Sequence, residues 1–173
     1  MYRKRIDFPS WTKWVVLAFI LLIIAFITFF VIVYTSIQSS KTDGYDAARK
    51  RVLAETDIVE INDTMRFYGD TGYHVIYGTK RDNEEQIAFV PDTKKEDITI
   101  VAQEDIITSD TVKQNWEKEC SACEFQAIVP AIIKGNALWE ITFTDEANRY
   151  VINYVSMYDG TQYEEFRFNK MFE

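Results

Sequence analysis

Residues 124–160 read EFQAIVPAIIKGNALWEITFTDEANRYVINYVSMYDG, three β-rich runs separated by turn signals, and this stretch decides the fold. Gly135-Asn136 joins AIIK to ALWEITF as a hairpin turn. Asp159-Gly160 joins VINYVSMY to a fourth run, TQYEEFRF, as a two-residue loop whose positive φ angles match strand twist. Alternation in that last run puts Gln162, Glu164, Phe166 and Phe168 on one face and Tyr163, Glu165 and Arg167 on the other, with Phe166 and Phe168 expected in the core.

Just upstream lies SDTVKQNWEKECSACE, where Val112 and Trp116 sit four apart and Ser109 or Asp110 offers an N-cap oxygen, so a short amphipathic helix precedes the strands. The same order occurs earlier in the chain. GYDAARKRVLAETD places Ala47, Ala48, Val52 and Leu53 at helical spacing, and VEINDTMRFYGDTGYHVIYGTKRDNEEQIAFVPD follows with β-rich runs. Tyr73 answers Trp139 at a separation of 66, Gln86 answers Tyr150 at 64, and Gly69 answers Gly135 at 66, which marks a duplication. The linking stretch DITIVAQEDII supplies a last strand to the first copy. Each copy is then one helix packed on a small antiparallel sheet, an α+β plan.

Ahead of the repeats, WVVLAFILLIIAFITFFVIVY fills residues 14–34, long enough at 1.5 Å per residue to cross the ~30 Å hydrocarbon layer. Arg3, Lys4, Arg5 and Lys13 precede it, so the N-terminus is expected in the cytoplasm and everything from Thr35 onward outside. Trp14 and Tyr34 suit the two interfaces. The run is longer than the apolar region of a cleaved signal peptide and lacks a small-x-small site, which favours a retained anchor. The first cysteine, Cys120, is too remote for a lipoprotein signal. The resulting division is a cytoplasmic tail 1–13, a transmembrane helix 14–34, a connector 35–44, and units 45–106 and 107–173. The connector reaches at most ~35 Å even when extended, which holds the first unit near the bilayer.

Of 19 basic residues four lie ahead of the span, and of 27 acids one does, leaving the exported part at about −11. That charge repels nucleic acid and disfavours binding flat on anionic lipid. Two cysteines make no disulfide framework, and one histidine, His74, cannot complete a Cys/His zinc site with them.

The anchor, the duplicated units, and the residues Pro130, Gly135, Trp139, Glu140, Ile141, Tyr150, Tyr154, Tyr158, Asp159 and Gly160 together resemble the YpmB family of Gram-positive bacteria, also called TseB-like cell-wall elongation regulators. The resemblance implies two tandem cystatin-like units, related to the propeptide-type domains called PepSY, outside the membrane. It also implies a role in cell-wall elongation through contact with a class B penicillin-binding protein, a transpeptidase, with no cofactor and no catalysis of its own. An alternative role is a PepSY-type module that modulates a protease. The run Cys120-Ser121-Ala122-Cys123 departs from the family pattern.

That CxxC run admits three roles: a thiol oxidoreductase site, a local disulfide, or two free thiols. It closes a helix rather than opening one and is flanked by Glu117, Glu119 and Glu124, which works against a reactive thiolate. His74 is expected on the less buried face of its strand, without a nucleophile in reach. Glu84-Glu85 and Glu164-Glu165 are adjacent, so their side chains diverge and cannot flank one glycosidic bond. Aromatic residues make up 15% of the chain, divided between core and partner-binding positions. The span has no glycine for close helix pairing, which favours a monomer before partner binding.

Overall fold

The computed structural model describes residues 10–42, 44–69, 71–93 and 95–169. Two compact units are present, Met1–Asp43 and Gly44–Glu173. The first is one helix, α1, Ser10–Thr42, so the segment expected as a connector continues the helix for about two turns beyond Tyr34. Its residues Trp14–Tyr34 have a mean hydropathy of 3.4 and none is buried, a helix long and apolar enough to cross a membrane. Thr28, the one polar residue of the run, donates its hydroxyl to the Ile24 carbonyl at 2.8 Å, which conceals it within the helix.

The second unit carries α2 (Tyr45–Glu55), β1 (Ile58–Tyr68), β2 (Gly72–Lys80), β3 (Glu85–Pro91) and β4 (Thr99–Ala102). A 3-10 turn, Gln103–Asp105, leads to α3 (Ser109–Glu119), β5 (Glu124–Ile133), β6 (Asn136–Thr144), β7 (Arg149–Ser156) and β8 (Gln162–Asn169). Each copy forms a four-stranded antiparallel meander, ordered β1-β2-β3-β4 and β5-β6-β7-β8. The architecture is α+β with two tandem helix-and-sheet units. The expected long fourth strand of the first copy is only four residues before the 3-10 turn ends it.

The helices repeat at 64 residues: Ala48 and Val52 are the buried positions of α2, Val112 and Trp116 those of α3. Ala47 and Leu53, also expected inward, are exposed, because an 11-residue helix on a narrow sheet buries a single stripe. The N-cap of α3 is Thr108, whose Oγ1 accepts from the Thr111 amide, and not Ser109 or Asp110.

The middle strands show that the repeat is out of phase with the sequence match. α2 covers the sheet face bearing Ile58, Ile76, Ala88 and Val90. The other face of that sheet, with Phe67, Val75, Ile87, Phe89 and Val101, joins one large core together with Ala131, Leu138, Trp139 and the residues beneath α3. Trp116 packs on Phe125 and Phe143, which puts α3 on the odd-numbered face of β6. Tyr73 therefore faces away from its helix while Trp139 lies on the helix side, and the spatial counterpart of Trp139 is His74.

Both expected hairpin loops are displaced. Lys134 and Gly135, with φ of 50° and 79°, form the two-residue turn, and Asn136 already pairs with Ile133. Between β7 and β8 the loop has five residues, 157–161, closed by Ser156 N to Thr161 O and by Gly160 N to Ser156 O; within it only Gly160 has positive φ. Phe166 and Phe168 are 41% and 51% exposed, contrary to the expectation of core. They lie on the sheet face away from α3, while the α3 side of that strand carries the ion pairs of Arg167 with Glu165 and Asp145.

Candidate partner-binding surface

Three strands build a continuous face on the side of the second sheet away from α3. Strand register sets Glu140 beside Tyr154 and Tyr154 beside Glu164, Ile152 beside Phe166, and Tyr150 beside Phe168. A bulge separates the Tyr154 and Val155 pairings, so Gln162 pairs with Val155 and the alternation of β8 holds only from Glu164 onward. The rings form a row: Phe166 and Phe168 stack with centroids 6.5 Å apart, Tyr150 lies 6.4 Å from Phe168, and Tyr154 meets Phe166 edge-on at 6.3 Å. Tyr154 is buried, whereas Tyr150, Phe166 and Phe168 are exposed.

The polar end of this face is tied down. Tyr154 donates its hydroxyl to Glu140 at 2.7 Å. Burial raises the phenol pKa well above its ordinary value, and the hydrogen bond to Glu140 adds to the shift. Thr142 and Thr144 lie beneath the rings, Thr144 accepting from Gln126 at 2.8 Å. The surface thus joins one fixed carboxylate, Glu140, to exposed aromatic area, the chemistry of a protein-binding patch.

The other residues singled out by sequence disperse. Trp139 is core, and its indole N–H donates to the Ile107 carbonyl at 2.8 Å. Pro130 is buried opposite Trp139, and Gly135 shapes the β5–β6 turn. Tyr158, Asp159 and Gly160 belong to the β7–β8 loop, where Thr161 donates side-chain and backbone hydrogen bonds to Asp159 and holds its carboxyl below the usual range. Glu140, Tyr150 and Tyr154 are the ones brought together. Phe166 and Phe168 complete their face and were misassigned by sequence; their place in the last strand, which has a neighbour on one side only, is the signal that could have found them.

Cys120 and Cys123 are bonded to each other in the turn after α3, with Cα atoms 5.4 Å apart. His74 is buried, correcting its expected exposure: its Nδ1 lies 3.1 Å from an Asp92 oxygen, and Tyr45 meets its ring edge-on. Gly44, at φ 81°, passes so close that a Cβ there would stand 2.8 Å from His74 Cε1. Glu84 precedes β3 and pairs with Lys80. Trp14 and Tyr34 are exposed on α1. Arg3, Lys4 and Arg5 lie outside the described residues, and Lys13 is described in its backbone alone.

Two recesses lie in the second unit. An open cleft of about 480 Å³ is lined by Asp63, Met65, Tyr77, Glu85, Gln103 and Pro130. Burial, and then the charge of Asp63, raise the pKa of Tyr77 there. A smaller recess of about 50 Å³ under α3, lined by Trp116 and Asn153, has room for little more than water.

A family model described as the cell wall elongation regulator TseB-like domain matches residues 47–91. The chain is similar to a probable cell wall elongation regulator TseB of Bacillus subtilis (strain 168), 28% identical over 129 residues that cover 74% of this chain and 80% of the relative. It also resembles the solved structure of the YpmB protein from Bacillus subtilis, with a TM-score of 0.68 at 24% identity, covering 72% of this chain and 98% of that one.

Proposed function

From the premise that the chain belongs to the TseB-like family of cell wall elongation regulators, we propose that it regulates elongation as a non-enzymatic scaffold contacting a class B penicillin-binding protein. The observation that carries the reading is the 129-residue similarity to a probable regulator of that process, which extends well beyond the family-model match. The apolar helix Trp14–Tyr34 supports a membrane anchor, and the basic residues ahead of it support a cytoplasmic N-terminus with residues 45–173 outside. The exposed aromatic face on a separately folded unit supports action by contact.

Crosslinking of the full chain in native membranes tests this reading. A wall-synthesis transpeptidase among the crosslinked proteins is the expected result. Recovery of an exported protease in its place would favour the protease-modulating role and overturn ours. A reporter joined after Glu173 should be active only outside the membrane; cytoplasmic activity would defeat the proposal outright.

A further inference from the structure

β8 is the terminal strand of its sheet and, among the described residues, pairs only with β7. Its sequence, QYEEFRFN, has neither the proline nor the lysine that commonly guards an exposed edge. Seven of its eight residues are exposed, and three of them are aromatic. The helix-free face of the first sheet lies within the shared core, whereas the equivalent face of the second is sealed at Ala131 and Leu138 but open at Tyr150, Phe166 and Phe168. A duplicated design that covers this face in one copy leaves half of it uncovered in the other.

We propose that β8 receives an extended segment of a protein partner as a fifth strand, and that one face of this segment, read at every second residue, carries a lysine or arginine beside apolar residues. Backbone pairing along the free edge would provide affinity, and alternate side chains would provide selectivity. On the open face, apolar groups would meet Phe166 and Phe168 while a cation would meet Glu164, whose neighbour across the strands is Tyr154, itself bonded to Glu140. On the opposite face Glu165 and Arg167 already satisfy each other and Asp145, so that side makes no charge demand. An exported part at about −11 attracts a basic segment and repels a second copy of itself. The proposal deepens the reading that the chain works by protein contact, yet its test needs no wall enzyme.

The test uses the full chain in detergent micelles and two synthetic peptides of about ten residues, each with valines at alternate positions along one strand face and, at one position of that same face, lysine in the first peptide and glutamate in the second. The lysine peptide should bind and slow amide hydrogen exchange within 162–169, and the glutamate peptide should not. Glu164→Lys, and separately the double substitution Phe166→Ser with Phe168→Ser, should each weaken binding about tenfold or more while leaving the thermal transition in place. Equal binding of the two peptides, protection confined to other strands, or indifference to both variants would each overturn the proposal. Protection of 162–169 that grows with protein concentration in the absence of peptide would assign the edge to a second copy and overturn it as well. Failure here leaves the transpeptidase reading standing, because crosslinking in membranes tests that separately.

Discussion

The indole N–H of Trp139, in the middle strand of the second sheet, donates to the carbonyl of Ile107, two residues before α3 begins, at 2.8 Å. The backbone N–H of Ile107 in turn donates to Met157 O at 2.8 Å, so the entry to the helix is fixed from β6 and from the loop that follows β7. His74 occupies the corresponding place in the first copy, beneath Gly44 and Tyr45 where α2 begins. Both copies use a ring from the middle strand to set the start of the helix that covers it.

Trp139→Phe keeps the aromatic packing but leaves the Ile107 carbonyl without its donor. We expect a loss of about 1–3 kcal/mol in stability, read as a lower urea midpoint with unchanged slope.

The open face predicts a sharp contrast between phenylalanines. Phe166→Ser or Phe168→Ser should change stability by no more than about 0.5 kcal/mol, as for ordinary surface positions. Phe143→Ala, beneath Trp116 and 4% exposed, should cost about 3–5 kcal/mol. Equal losses at the two kinds of site would contradict the burial described above.

Asp145 predicts an acid limb. Its side chain is 6% exposed and held by Arg149 and Arg167, and the Arg149 hydrogen bond is the main cause of its lowered pKa. A lowered carboxyl pKa stabilises the fold above the unfolded value of about 4, and that contribution is lost as pH falls through the folded value. Stability measured from neutral pH downward should therefore decline less steeply in Asp145→Asn than in the parent.

Tyr154 predicts the opposite limb. Its phenol pKa is raised, chiefly by burial, so the stabilisation is complete below the unfolded value of about 10 and is lost as pH rises beyond it. Tyr154→Phe should be less stable at neutral pH, where the Glu140 bond is missing, and less sensitive to alkali. A parallel decline of both proteins above that pH would show that another group governs the alkaline limb.

Much of this architecture is legible from local pattern. The apolar run at 14–34, the helical spacing of Val112 and Trp116, and the order of strands in both copies each express a period that the chain itself carries. What the pattern omits is which face of a strand is covered. Phe166 and Phe168 alternate as core residues would, but register sets them on the sheet face away from α3, at the open edge, where they are exposed. His74 reads as a surface residue because only the fold brings Asp92 and the start of α2 against it. The Tyr73–Trp139 match failed for a related reason: two aromatic residues align in sequence while the strand period assigns them to opposite sides. Of the candidate surface, Glu140, Tyr150 and Tyr154 came from family resemblance, and their assembly with the rings of β8 came only from register.

The core that Phe67, Val75 and Phe89 share with Ala131 and Leu138 binds the two copies together as heritable units, not only as packed ones. A recombination event that exchanged one copy for a stranger would expose the apolar side of the other unless the newcomer brought a matching contour. A chain that repeats one plan around a shared core cannot be cut at the seam without baring apolar surface on both sides.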